Sequence, residues 1–259
     1  MKAFSRSMSP RATARRGFTL IELIVVLMIL VGLAGVIVPA VTDMVQRTHT
    51  STSASNLSEL ANAVQRYETQ FLSYPNNFDA LKADLTDAAV TNFILLDPAL
   101  TSGTLLANVG LTTDTFGALT NAGITNVAVI PNTATSATFT TGVPTPLAAT
   151  SNLLGLSTTA QQNLGLEPLG TAIAGKYVLL GVGQATTMIG KTMTAAPVHF
   201  PDTGAVNPNA VYQRFLAIFQ ITNSAGVALD RAKFVGFIAS EGSSLGDELR
   251  DYYRVTASN

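Results

Sequence analysis

Glu22 is the single ionisable residue between Phe18 and Val41, in a stretch that reads FTLIELIVVLMILVGLAGVIVPAV. A lone carboxylate in an apolar medium is costly unless it is neutralised or paired. Hydrolysis of the Gly17–Phe18 bond would create a partner, because it leaves an amino group four residues ahead of Glu22. Four residues is one helical turn, so the two charges can meet within one chain or between neighbours. The second arrangement would couple neutralisation of the carboxylate to contact between neighbouring chains. If Glu22 lies instead at the membrane surface, it stays hydrated and needs no partner. Gly17 suits a cleavage point because a peptidase must admit extended backbone, and glycine adds no side chain to obstruct it.

Other chemistry is sparse. The chain has no cysteine, which excludes disulfides, thiol catalysis and thiolate metal sites. It has no Walker loop, no GxGxxG fingerprint and no HExxH. Of its two histidines, His49 sits in a Ser/Thr-rich stretch and reads as solvated, and His199 follows a strand-like segment and reads as a surface or packing residue. Glu241, Asp247, Glu248 and Asp251 cluster without the spacing of a calcium loop and read as a solvated acidic face. No enzyme activity, cofactor or metal site is expected.

The elements that must position Glu22 follow from composition. Leu23 to Val38 carries no polar side chain, and with the extension to Val41 it is long enough to cross a bilayer as a helix. Lys2, Arg6, Arg11, Arg15 and Arg16 precede it without an acid among them, which keeps the amino end in the cytoplasm. From Phe18 onward ten basic residues face sixteen acidic ones, so the exported part would repel phosphate and no nucleic acid partner is expected. Three fates compete: signal-peptide cleavage after the core, near VGLAG or VIVPA; an uncleaved anchor; or a cut at Gly17–Phe18 that leaves the apolar helix on the mature chain. Pro39 lacks an amide hydrogen and clashes with the preceding turn, so it kinks the helix or ends it.

The run Arg15-Arg16-Gly17-Phe18-Thr19-Leu20-Ile21-Glu22-Leu23, followed by the apolar helix, strongly resembles the signal of type IV pilins and type II secretion pseudopilins. The resemblance implies that a prepilin peptidase cuts after Gly17 and methylates Phe18. It implies that Glu22 is the assembly acid and that Pro39 stands where many members have a kinking proline. It extends more weakly through Tyr67 and Tyr74-Pro75 to Phe78, Leu81 and Leu85, which match a tyrosine, a Tyr-Pro helix end and an apolar short helix. The implied partners are the prepilin peptidase, copies of the chain or related pilins in a helical filament, and an inner-membrane assembly platform. The implied location is the bacterial inner membrane, with a periplasmic or extracellular head. The alternative is a single-pass membrane-anchored binding protein that does not polymerise.

Beyond the bilayer segment, Thr42 to Leu72 continues as a helix. Val45, Leu57, Leu60, Ala61, Val64 and Phe71 form its apolar face, and the Ser/Thr-rich part from Thr48 to Ser58 is prone to fray. Unbroken from Phe18 to Leu72, the helix would be about 82 Å long. Ser73-Tyr-Pro-Asn-Asn ends it, and Asp79 to Val90 suits a second, shorter helix. TLLANVGL and ITNVAVIP suit strands or buried segments, with Val143 to Pro146 a turn. KYVLLGVG, AVYQRFLAIFQIT and RAKFVGFIA suit strands, NSAG a turn, and LGDELRDYYRV a terminal helix or edge element. The expected fold is α+β: a long amino-terminal helix, transmembrane in its first half, whose second half packs on a carboxyl-terminal antiparallel sheet. The organisation is a basic leader (1–17), a transmembrane and assembly helix (18–41), its amphipathic continuation (42–72) and an exported head (73–259). Within the head, 98–175 reads as an insertion or a loosely ordered region.

Overall fold

The computed structural model describes residues 19–88, 96–101, 105–131, 134, 136–201 and 207–257. The fold is α+β, a long apolar amino-terminal helix followed by a mixed sheet. Two compact units divide between Val45 and Gln46.

In the first unit, helix α1 (Leu20–Phe71) presents its aliphatic side chains to the outside, from Leu20 through Val45. It is the one helix among the described residues long and apolar enough to cross a membrane. Helical assignment continues through position 39, so the proline does not end α1.

In the second unit, the remaining part of α1 buries Thr50, Ser53, Ala54, Leu57, Leu60, Ala63, Val64 and Tyr67. These residues recur at three- and four-residue steps and so form one stripe. Phe71 is exposed, and the stripe begins instead at Thr50 and Ser53. The Ser/Thr-rich stretch is helical throughout: Thr50 and Thr52 fold their hydroxyls back onto the carbonyls of Gln46 and Thr48, at 3.0 and 2.7 Å. Such back-bonding satisfies the hydroxyl without breaking the ladder. The helix stops where Leu72 takes a left-handed conformation, φ 55°, and Pro75 follows.

Among the described residues the sheet has eight strands: β1 (Phe78–Asp79), β2 (Leu106–Gly110), β3 (Asn126–Val129), β4 (Val143–Pro146), β5 (Asn152–Leu156), β6 (Tyr177–Gly181), β7 (Leu216–Thr222) and β8 (Ala228–Ile238). One path runs β2-β5-β6-β1-β3-β4, and β7 joins β6 to β8. Since β7 pairs with β6 from Tyr177 to Gly181, the other edge of β6 is shared by β5, at Val178, and β1, at Gly181. The sheet is mixed rather than purely antiparallel because β1 and β3 run parallel. Residues 98–175 contribute β2 to β5 to this sheet.

Two strands show why the head holds together. Along β6 and β7, Val178, Leu180, Ala217, Phe219 and Ile221 join one apolar cluster, and Tyr177, Leu179, Leu216 and Ile218 join another. Successive side chains alternate faces, so both faces of these strands are covered. The first cluster includes Leu57, Leu60, Val64 and Tyr67 of α1 and Leu119 of helix α3 (Thr113–Asn121). The second includes Leu100 of α2 (Pro98–Thr101) and Ala160 of α4 (Thr158–Asn163).

Two local expectations are corrected. Val143 to Pro146 is the edge strand β4, paired with β3, and not a turn. Prolines are tolerated there because an edge strand has one side without ladder partners. Residues 80–88 contain no helix. Leu81 takes φ 58°, and its side chain is buried in the second cluster, whereas Phe78 and Leu85 are buried in the first. The carboxyl-terminal segment is helix α5 (Leu245–Ala257).

Candidate functional site

Glu22 stands in the first turn of α1, and its carboxylate turns back on the helix start. Its Oε2 accepts from the Thr19 amide and the Thr19 hydroxyl, each at 2.8 Å, while the Glu22 amide donates to Thr19 Oγ1 at 3.3 Å. The first helical bond, Leu23 N–H to Thr19 C=O, is 3.2 Å. This is a reciprocal capping box, with Thr19 as N-cap and Glu22 three residues on. The helix dipole favours a negative charge at that end. Sequence spacing offers Glu22 a charged partner within one chain or between neighbours and does not include Thr19, which the structure supplies. The signal was in view as T-x-x-E ahead of an apolar run. The same device opens α5, where Ser244 and Asp247 cap each other at 2.8 to 3.3 Å. Gly17 and Phe18 lie outside the described residues, as does the basic leader.

Thr19 and Glu22 are exposed, as are the aliphatic side chains that follow. The helix start thus carries a fixed carboxylate and is followed by an uncovered apolar surface. That surface is compatible with membrane anchoring.

Polar groups inside the head serve structure. Tyr212 donates to Asp79 Oδ2 at 2.7 Å, and both side chains are buried. Burial raises the Asp79 carboxyl to about 7, against the lowering effects of the Tyr212 bond and the Arg214 charge. Gly181 and Gly183 make room for this pair, since a Cβ at either position would collide with Tyr212 Oη or the Asp79 carboxylate. Lys176 is buried against Glu167, which also accepts from Tyr177 Oη at 2.6 Å. Arg214 is held by the carbonyls of Thr138 and Ala196 at 2.8 and 2.7 Å.

His49 is half-buried, with its ring 6.0 Å from that of Phe200. His199 is buried, and burial pushes its imidazole down to about 4. The acidic cluster is not a uniformly solvated face: Glu248 is buried and Glu241 half-buried, whereas Asp247 pairs with Arg250 at 2.6 Å on the outside. Turning α5 onto the head draws Glu248 inward and leaves Arg250 out.

No curated protein and no solved structure matches the chain. Residues 13–37 match the family model of the prokaryotic N-terminal methylation motif. The match spans the basic leader's end, Gly17, Phe18, the Thr19–Glu22 cap and most of the apolar run. The chain therefore carries the amino-terminal signal of type IV pilins and pseudopilins, and its motif family is structural rather than enzymatic.

Proposed function

We propose that this chain is a structural subunit of a type IV pilus-like or type II secretion pseudopilus filament. The supporting observation is the methylation motif over residues 13–37, set directly on a helix whose apolar side chains are uncovered and whose first turn holds Glu22. In this reading residues 1–17 are a leader, and prepilin peptidase cuts the Gly17–Phe18 bond and methylates Phe18. The helix then leaves the lipid by burying itself against the helices of neighbouring subunits. Thr19 occupies only Oε2 of Glu22 in the hydrogen bonds described above, so Oε1 is available to the amino group of an incoming Phe18. Pro39 gives the helix a kink at the membrane exit. The head is displayed on the outer side of the inner membrane, and the assembly platform receives the processed subunit.

Mass spectrometry of the protein from its bacterial membrane tests this reading. The expected terminus is a methylated Phe18. A terminus at Met1, or one beyond Val41, overturns it.

A further inference from the structure

We propose that His199, Glu241 and Glu248 form a binding site for one divalent transition-metal ion of the zinc class, which ties α5 to the sheet. His199 precedes β7, and its backbone amide donates to the carbonyl of Gln213, in the segment that leads into β7, at 2.8 Å. Glu241 lies in the turn after β8, and Glu248 lies in the first turn of α5. One potential ligand atom from each residue falls within 4.8 Å of the others. A tetrahedral ion with bonds of about 2.0–2.2 Å sets its ligands about 3.4 Å apart, so the three close on it by small side-chain rotations.

The hydrogen bonds around His199 decide which ring nitrogen faces the acids. Gln213 Nε2 donates to Asp97 Oδ2 at 3.0 Å, which turns Gln213 Oε1 toward Ser240. That oxygen only accepts, so Ser240 gives it its single proton, at 2.6 Å. The Ser240 oxygen must then accept from His199 Nδ1, 2.9 Å away. In the neutral ring Nε2 therefore carries a lone pair, and it faces Glu248 Oε1 at 4.0 Å, beyond hydrogen-bond reach. Both side chains are almost fully buried, at 1% and 3% exposed. A lone pair opposed to a carboxylate out of water is an arrangement that a cation between them relieves.

Ser243 adds to the case. Its hydroxyl lies 2.5 Å from Glu248 Oε1 and 3.2 Å from Glu241 Oε1, so it draws both carboxylates together. The chain Gln213–Ser240–His199 is the outer support that fixes a metal-binding imidazole in one tautomer. One imidazole nitrogen with two carboxylates suits zinc and its neighbours, whereas calcium takes six to eight oxygens. Glu248 is on α5, so a bound ion would fasten that helix to the segment that carries His199.

The test uses the full-length protein in detergent, stripped of metal and titrated with zinc chloride and, separately, cobalt chloride. Binding of about one zinc per chain is expected, with a rise in the thermal midpoint and no displacement by millimolar calcium. His199→Gln and the half-buried Glu241→Gln are each expected to weaken zinc at least tenfold. X-ray absorption of the zinc-loaded wild type reads the ligands without any substitution, and one imidazole nitrogen among oxygens is expected. Absence of stoichiometric zinc binding, an all-oxygen shell, or full affinity in a folded Glu241→Gln protein overturns the proposal.

Discussion

The Thr19 amide and hydroxyl both donate to Glu22 Oε2 at 2.8 Å, so the carboxylate at the head of the apolar helix is an N-terminal cap as well as a charge. The two roles are separable. Glu22→Gln keeps an acceptor for the cap and loses the charge, whereas Thr19→Ala loses the cap, at a cost of about 1 kcal/mol of helix stability, and keeps the charge. With charge pairing as the assembly device, Glu22→Gln and Glu22→Leu are cleaved and inserted but enter filaments poorly, and Thr19→Ala enters them with a smaller loss. Cross-linking of subunits in sheared filaments reads this. Normal incorporation of Glu22→Gln would reject the pairing role and leave the cap.

Gly17 bears on processing alone. A bulky side chain there, as in Gly17→Leu, obstructs the extended backbone that the peptidase must hold. The expected product is a precursor that keeps the leader's mass and stays in the membrane. The mass of the mature form in that variant would show the glycine to be dispensable.

The buried Asp79–Tyr212 pair predicts a pH dependence in the head. Asp79 ionises near 3.8 in the unfolded chain and at about 7 when folded, because burial outweighs the Tyr212 bond and the Arg214 charge. Between those values the native state holds a proton that the unfolded state has released. Stability from this group is therefore greatest at low pH, declines as pH rises from about 4 to about 7, and is level above that. Asp79 Oδ1 has no hydrogen-bond partner among the described residues, consistent with an ionised form that is poorly served. The expected measurement is an Asp79→Asn variant whose thermal midpoint improves relative to wild type as pH rises through that window. A difference that stays constant from pH 4 to pH 8 would contradict the assignment.

The face of α1 that supports the head gives a packing prediction. Leu60 is fully buried in the main cluster, and Phe71 is 45% exposed. Leu60→Ala is expected to destabilise the head by about 2–5 kcal/mol, from lost burial and the cavity left behind. Phe71→Ala is expected to cost about 1 kcal/mol, through its contacts with the Tyr67 ring at 4.5 Å and with Lys191. Denaturant midpoints compare the two, and equal losses would mean that the stripe has been placed wrongly.

Local chemistry was legible along the chain wherever it was enough to decide structure. The apolar run determined a membrane-length helix because its length and lack of polar side chains leave few other ways to satisfy the backbone in lipid. KYVLLGVG and AVYQRFLAIFQIT determined strands because branched and aromatic residues fill both faces of a covered sheet. RRGFTLIEL determined the signal, since its residues act in order along the backbone. What lay elsewhere depended on partners distant in sequence. Val143 to Pro146 became a strand because β3 lies beside it, and residues 80–88 gave up a helix as Leu81 and Leu85 turned into the core. His199 and Glu248 are far apart in the chain and read alone as a packing histidine and a surface acid. Only the return of α5 onto the sheet brings them together, because burial and proximity are properties of the folded head and not of any short run of residues.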